Sequence, residues 1–352
     1  MNDSQLNTSK IRDRDYILDK SGNYLKVIGD SQPENYVVSY IKYFESARGM
    51  RNINGKRYGY NSFVPRSFNI LKNETNRMIF SPKHGGLITA TPTNEITQIF
   101  SAREKVQEIL KNNTKASATI IGQSLLLALL DMSHNGIDMK NVGITGSFLI
   151  DANNDQSDID LVCYGRETYD KMKKYFKESS LIENYEDGER ANFLYHRRMI
   201  YQAPMAFDTL ILQEARKLQG TIPDKKIHIN CQPLREDGHD PFSNISINSI
   251  GEITCIAKIT NASEGIYSPA IYEIEVLDMI QSLFDDDPSI NSKVKYFISY
   301  IGAFSQCFEV GDRLYLEGKL IKVEFDDTKE SYFGVELSPW NTSRIFKALL
   351  LR

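Results

Sequence analysis

The sequence predicts an α+β protein built from three parts, and three observations support this prediction. The chain has 352 residues, which is more than the roughly 100 to 200 residues of a usual single domain. Its middle alternates stretches of helical length with short apolar strands. From about residue 240, β-branched and aromatic residues alternate with turns. We therefore expect a small N-terminal α+β module at residues 1–92, a core of mixed sheet and helices at residues 93–238, and a β-rich domain at residues 239–352.

The N-terminal part has the pattern of short strands joined by turns. Residues 16–44 contain the alternating YLKVI and the apolar-rich YVVSYIKYF, which predict strands. Asn54 and Gly55 predict a tight hairpin turn between two extended pieces. Proline and glycine cluster at residues 82–92, which indicates a boundary before the central part.

The central part has the pattern of alternating helices and strands. Long stretches that largely lack helix breakers predict helices, at residues 96–110, 116–132, 166–178 and 209–218. Short apolar runs predict strands, at residues 141–145, 158–164, 192–200 and 226–233. Asn135 and Gly136 supply a left-handed residue that ends the second helix.

The C-terminal part has an all-β signature. The segments ISINSIGEITCIAKIT, YSPAIYEIEVLDMI and DRLYLEGKLIKVEF are rich in β-branched and aromatic residues and are separated by turns. Several short strands of this kind predict a small barrel. An oligonucleotide-binding, OB-like barrel is one such architecture, although any compact barrel gives the same pattern.

Composition limits the classes of function. The formal net charge of −4 excludes a globally basic surface for binding nucleic acid. Any contact with nucleic acid must therefore be local. The four cysteines form no CxxC pair, which argues against a zinc knuckle or a disulfide framework and favours a reducing, cytoplasmic compartment. No stretch reaches the roughly 18 apolar residues that a membrane span needs.

The segment VGITGSFLIDANNDQSDIDLVCYG carries the strongest chemical signal. Side chains at positions i and i+2 of a strand point to the same face, so we expect Asp158 and Asp160 to project together. Two adjacent carboxylates repel each other, whereas a hard dication accepts both as oxygen ligands. The pair therefore predicts a site for Mg²⁺ or Mn²⁺.

The residues just before the loop suit a triphosphate. Gly146 lets the backbone come close to a phosphate, and Ser147 offers a hydroxyl and an amide as donors to phosphate oxygens. Gly-Ser alone is a weak signal. Combined with the paired aspartates after a loop of this length, it predicts a metal-nucleotide site.

Two alternatives compete with this reading. Asp158 and Asp160 could be exposed strand residues beside a turn, which leaves their pairing unexplained. The loop also begins like an EF-hand, but Gln156 replaces the glycine at its sixth position and Cys163 replaces the closing glutamate.

At these residues the chain resembles the DNA polymerase β-like nucleotidyltransferase superfamily, on the match TGSFLIDANNDQSDIDLV. More widely, KIRDRDYILDKSGNYLKVIG, QEARKLQG and SPAIYEIEV are similar to a group of predicted archaeal-type nucleotidyltransferases. The resemblance implies transfer of a nucleoside monophosphate from a nucleoside triphosphate, such as ATP, to an acceptor hydroxyl, with RNA or DNA among the acceptors. It also implies two divalent metals held by three carboxylates, of which Asp158 and Asp160 match two.

The third carboxylate has two candidate positions. Asp208, in MAFDTLIL, is the best acidic candidate for catalysis and metal binding. The competing strand, KKIHINCQPL, presents Asn230, a neutral and poorer metal ligand. If Asn230 occupies the position, the alternative function is a catalytically degenerate protein that binds nucleotide or nucleic acid without turnover.

Two further sets of residues bear on the site. Basic pairs such as Arg216 and Lys217 could line a groove for the triphosphate or the acceptor, with solvated faces as the alternative. The five histidines, His228 among them, show no HExxH or comparable spacing, so the sequence gives no support for zinc chemistry.

Overall fold

The structure is a computed structural model of the chain, and it describes residues 10–61, 67, 70–71, 75–112, 114–183, 207–236, 240–282, 293–338 and 347–351. The fold is α+β and rich in strands, as the sequence predicts. The chain forms two compact units. The first contains Met1–Ile79, Thr89–Asn184 and Leu218–His239, and the second contains Phe80–Ile88, Tyr185–Lys217 and Asp240–Arg352. None of the helices within the described ranges is long and apolar enough to cross a membrane.

The N-terminal part forms an eight-stranded sheet, which we call the first sheet. Its strands β1 to β8 are Tyr16–Asp19, Tyr24–Val27, Tyr36–Glu45, Arg51–Ile53, Lys56–Tyr60, Met78–Ser81, Gly86–Pro92 and Ile96–Phe100. The main path runs in the order β4-β5-β3-β2-β1-β8, while β7 pairs with β3 and β6. Asn54 and Gly55 join β4 to β5 with positive φ values of 51° and 81°, which confirms the predicted tight turn.

The predicted helix at residues 96–110 is wrong in its first third. Residues 96–100 form β8, which pairs antiparallel with β1, and the helix α1 begins only at Ala102 (Ala102–Lys111). Ile, Thr and Phe favour strands, and pairing with a distant strand decides the conformation. Ser101 then caps the helix, because its side chain accepts a hydrogen bond from the backbone N–H of Glu104.

Two more helices precede the motif. They are α2, Thr114–Ser117, and α3, Ile120–His134. Gly136 follows α3 with a φ of 80°, and this left-handed residue ends the helix as predicted.

A four-stranded sheet, the second sheet, carries the motif. Its strands β9 to β12 are Val142–Ile144, Ile159–Tyr164, Gln219–Ile222 and Ile227–Leu234, in the order β11-β12-β10-β9. β10 and β12 are parallel, whereas β9 and β11 run antiparallel to their neighbours. The helix α4, Arg166–Glu178, follows β10 with the bounds that the sequence predicts.

One face of the first sheet packs against one face of the second sheet in a shared core. The buried members come from both sheets and from the adjoining segments: Tyr16, Tyr24, Tyr43, Ile53, Tyr58, Ala102, Leu149, Ile150, Ala152, Val162, Tyr164 and Leu234. Val162 and Tyr164 alternate with buried residues of the opposite face of β10, as expected for a strand buried on both sides. This packing places the tyrosine-rich face of the first sheet beside the start of β10.

The second unit contains the predicted all-β region. Its strands β13 to β18 are Ile245–Asn261, Ala270–Ser282, Val294–Ser299, Arg313–Phe325, Ser331–Leu337 and Lys347–Leu351. The pairings β13-β14-β15-β17-β16-β13 form a closed ring, in which β15 and β17 are parallel, and β18 adds to β16. The ring surrounds a core that includes Tyr272, Phe297 and Phe304.

The helix α5, Phe207–Ala215, belongs to the second unit. Arg216 just after it is ion-paired with Asp312 and donates to the carbonyl oxygen of Cys307. Lys217 is buried and donates to Glu214 and to the carbonyl oxygen of Ala303. Both basic side chains therefore have structural partners, which argues against a groove-lining role. The strand predicted at residues 192–200 lies outside the described residues.

Candidate functional site

The two aspartates of the motif lie opposite two polar residues of the neighbouring parallel strand. In the register of β10 and β12, Ile159 faces Ile229 and Asp160 faces Asn230. Asp158 and His228 each lie one residue earlier. Burial lowers the pKa of His228, and the charges of Asp158 and Asp160 oppose that shift. The four polar side chains, Asp158, Asp160, His228 and Asn230, therefore share one end of the sheet, and we call them the polar quartet.

A hydrogen bond joins the central pair of the quartet. The side-chain amide of Asn230 donates from Nδ2 to Oδ1 of Asp160 over 2.7 Å. This contact fixes the rotamer of the carboxylate and occupies one lone pair of Oδ1. Asn230 thus lies beside Asp160 on the neighbouring parallel strand. Asp208 lies in α5, and its side chain is outside the described part of the structure.

Gly146 lies directly against the Asp160 carboxylate. Its φ is 66°, in the left-handed region, and a Cβ built on it would lie 2.1 Å from Oδ2 of Asp160. The backbone N–H of Thr145 also donates to the carbonyl oxygen of Asp160 over 2.8 Å. A side chain at position 146 would therefore be strained and would displace the carboxylate.

Ser147 begins the short 3-10 turn Phe148–Ile150. It is buried, and its carbonyl oxygen accepts a hydrogen bond from the backbone N–H of Ala152 over 2.8 Å. The Ser147 hydroxyl does not cap the turn. The Gly-Ser pair is thus fixed by its backbone.

The loop that leads into Asp158 is held by its own polar residues and by the first sheet. Ser157 Oγ accepts from the backbone N–H of Asn154 over 2.9 Å. The Arg51 guanidinium, on β4, donates to Ser157 Oγ over 3.0 Å and to the carbonyl oxygen of Ala152 over 3.3 Å. Because Ser157 immediately precedes Asp158, Arg51 positions the first aspartate through the loop.

The tyrosine-rich face of the first sheet is electrostatically coupled to Asp160. Burial, neighbouring tyrosines and the charge of Asp160 all raise the pKa of the Tyr16 hydroxyl. Burial likewise raises the pKa of Tyr43, and Asp160 contributes in the same direction. Thr145 Oγ1 donates to the carbonyl oxygen of Arg14 over 2.6 Å, which ties the start of β1 to the Gly-Ser turn.

The donors of the quartet suit one hard dication. Mg²⁺ uses one or two carboxylates and completes its octahedron with water and substrate phosphates, so Asp158 and Asp160 provide a sufficient set. Across the ranges that the structure describes, no group of three or more His, Cys, Asp or Glu side chains could hold a metal ion. A cation held by Asp158 and Asp160 would therefore take its remaining ligands from water and substrate.

Sequence reasoning missed the roles of His228 and Arg51 at this site. His228 has no metal-ligand spacing within its own strand, and it joins the quartet only because β12 lies parallel to β10. The signal that could have indicated it is the alternation His228-Ile229-Asn230, which repeats the polar-apolar-polar pattern of Asp158-Ile159-Asp160. Arg51 gave no signal beyond its charge.

Comparison with known proteins adds one distant relative. The chain is 22% identical over 337 residues to the uncharacterized protein MJ1086 of Methanocaldococcus jannaschii, an alignment that covers 92% of this chain and 94% of the relative. No family model matches the chain. No solved structure matches it.

Proposed function

We propose that the protein is a metal-dependent nucleotidyltransferase, which moves a nucleoside monophosphate from a nucleoside triphosphate to an acceptor hydroxyl. The observation that carries the proposal is the contact between the Gly146 turn and the Asp160 carboxylate. It brings a backbone that can approach phosphate next to the paired aspartates at the start of β10. A polymerase β-like core accounts for this strand, turn and strand arrangement.

Each residue has a defined part in the proposed reaction. Asp158 and Asp160 would hold Mg²⁺ or Mn²⁺, which when bound neutralises charge on the phosphate oxygens. The Gly146 and Ser147 turn would hold the triphosphate tail. The acceptor oxygen bonds to the α-phosphorus, the bond from that phosphorus to the bridging oxygen breaks, pyrophosphate leaves with the electron pair, and the hydroxyl proton passes to solvent. Positioning and charge neutralisation supply the rate enhancement.

The second unit supports an acceptor that is a nucleic acid. In the closed ring, the first strand pairs with the second and the fourth, and the third and fifth strands are parallel. We infer that the ring is an OB-like barrel, a class that binds oligonucleotides. RNA or DNA is therefore the first acceptor to test.

The experiment is transfer of labelled nucleoside monophosphate from each ribo- and deoxyribonucleoside triphosphate onto RNA, DNA and protein, with magnesium or manganese. Transfer that disappears in the Asp158→Asn/Asp160→Asn double variant would support the proposal. Asp155→Asn is the matched control, because Asp155 is an exposed acid of the same loop. Transfer that persists in the double variant would refute the role of the pair.

A second candidate function is nucleotide binding without turnover. The hydrogen bond from Asn230 to Asp160 favours it, because the residue beside Asp160 on the neighbouring strand is an amide, which is a poorer metal ligand than a carboxylate. Metal-dependent nucleotide binding without label transfer to any acceptor would favour this candidate over the enzyme.

A further inference from the structure

The face of the first sheet beside Asp160 carries a lysine among tyrosines. Lys26 on β2 pairs with Tyr16 on one side and with Tyr40 on the other, so the three side chains point to the same face. Tyr16 packs in one cluster with Val162, which lies two residues after Asp160 on β10. Lys26 and Asp160 therefore extend from two sheets that pack face to face.

Lys26 is a half-buried cation. Its ammonium group makes no hydrogen bond or ion pair with any residue that the structure describes. Burial lowers the pKa of Lys26, Arg14 and Lys42 lower it further, and Asp160 and Asp13 oppose the shift. Asp13 lies 3.2 Å from the Arg14 guanidinium and offsets its charge, whereas Lys26 and Lys42 have no ion pair among the described residues. A partly desolvated ammonium of this kind gains stability when it binds an anion.

The surroundings of Lys26 are already organised. The Arg14 backbone is tied to the Gly-Ser turn by the bond from Thr145. Lys42 lies 4.4 Å above the ring of Tyr60 and donates to its hydroxyl oxygen over 3.0 Å. The Tyr16 hydroxyl is fully buried and has no hydrogen-bond partner among the described residues. Buried hydroxyls in folded proteins usually have a hydrogen-bond partner, so we expect a ligand to supply one for Tyr16.

We propose that Arg14, Lys26 and Lys42, which we call the cation cluster, form a binding site for phosphate groups of the substrate. The Tyr16 hydroxyl is the additional donor. The inference rests on the proposed function, because it assigns a ligand class to the same site. The phosphates come either from the triphosphate tail or from a phosphorylated acceptor, and both sources have the same chemistry.

The first test is binding of inorganic tripolyphosphate by calorimetry, in the presence of a chelator so that no metal takes part. We expect Lys26→Met to weaken binding by about tenfold or more, since a hydrogen bond to a charged group is lost. Lys26→Arg should retain most of the affinity. Lys56→Met is the matched control: it removes the same charge from the same sheet, but Lys56 is exposed and paired with Glu45 at 2.8 Å. Equal affinities of Lys26→Met and Lys56→Met would overturn the proposal.

The binding measurement can be separated from effects on folding and from effects on turnover. Lys26→Met removes a desolvated charge and keeps the aliphatic stem, so the variant should unfold at the same or a higher temperature than the unmodified protein. The Asp158→Asn/Asp160→Asn variant should bind tripolyphosphate in chelator at least as tightly, because it loses negative charge beside the cation cluster. Label transfer is not a readout, so failure of the enzyme proposal and failure of the cation cluster give different results.

A second measurement distinguishes the two phosphate sources. If the tail is the ligand, Lys26→Met weakens nucleoside triphosphate binding by a factor similar to that for tripolyphosphate. If the acceptor is the ligand, the variant keeps its triphosphate affinity and loses binding of glycerol phosphate to the nucleotide-saturated protein. Unchanged affinity for both probes would overturn the proposal.

Discussion

The side-chain amide of Asn230 and the carboxylate of Asp160 face each other across two parallel strands and share a 2.7 Å hydrogen bond. The amide provides a hydrogen-bond donor to the Asp160 carboxylate without adding charge. The hydrogen bond therefore holds the orientation of the aspartate when no metal is bound. The same bond must break or rearrange if Asn230 is to offer its oxygen to a cation.

The first prediction concerns Asn230→Asp, which would add a third carboxylate beside Asp160. Without metal we expect the free energy of unfolding to fall by about 2 kcal/mol, because a hydrogen bond to a charged group is replaced by repulsion. Millimolar Mg²⁺ or Mn²⁺ should restore the loss, and should stabilise this variant more than the unmodified protein. Thermal unfolding with and without metal measures both effects.

Asn230→Ala separates the two contributions, since it removes the hydrogen bond and adds no charge. It should be destabilised without metal and should gain no extra stabilisation from metal. Equal stabilisation of Asn230→Asp and the unmodified protein by metal would show that Asn230 does not stand at the third ligand position.

The second prediction concerns the close contact between Gly146 and Asp160. Gly146→Ala adds a Cβ at a φ of 66° and 2.1 Å from Oδ2 of Asp160, so we expect a loss of about 3 kcal/mol in unfolding free energy. Gly136→Ala is the matched control, since Gly136 has a φ of 80° with no atom within 4 Å of the added carbon. It should lose only about 1 kcal/mol. Urea unfolding measures both losses. Equal losses would show that the Asp160 carboxylate moves away from the added Cβ without a loss of stability.

Local patterns were sufficient to predict many elements of this fold. The turn residues at positions 54 and 55 predicted the hairpin that the structure shows. The helix at residues 166–178 and the β-rich C-terminal part were also predicted from residues that are adjacent in the chain. Each of these features depends on period or turn chemistry within a few residues.

Features that depend on distant pairing could not be predicted in the same way. The strand β8 exists because β1 pairs with it, and His228 joins Asp158 because β12 lies parallel to β10. In the sequence, Lys26 looks like an ordinary polar strand residue. Its position beside Asp160 depends on the packing of the first sheet on the second. Arg216 looked like a groove residue, and only the structure shows its ion pair with Asp312.

The third prediction concerns Arg51, which holds the loop before Asp158. Arg51→Met removes two hydrogen bonds, to Ser157 and to Ala152. We expect amide hydrogen exchange at residues 152–158 to become at least about fivefold faster, since the loop loses about 1 kcal/mol of local stability. Mass spectrometry of exchanged peptides measures this.

Arg57→Met is the control for the loss of an arginine from the same hairpin. Arg57 donates to the carbonyl oxygen of Gly49, which lies outside that loop. Its removal should leave exchange at residues 152–158 unchanged. Faster exchange there in both variants would mean that the hairpin as a whole, rather than Arg51, supports the loop.

The fourth prediction concerns the pH dependence of stability through Asp15. Burial raises the pKa of this carboxyl from 3.8 to about 7, although it accepts backbone hydrogen bonds from Ala102 and Arg12. Between about pH 4 and pH 7 the folded protein therefore keeps a proton that the unfolded chain releases. Through this group the free energy of unfolding falls as the pH rises across that range, by roughly 1.4 kcal/mol per pH unit at most. Asp15→Asn should remove this part of the slope, so that the difference from the unmodified protein changes by about 2 kcal/mol between pH 5 and pH 7. Urea unfolding at both pH values measures it, with the exposed Asp170→Asn as control. If the unmodified protein and Asp15→Asn show parallel pH profiles, the carboxyl is already ionised at pH 5 in the folded state.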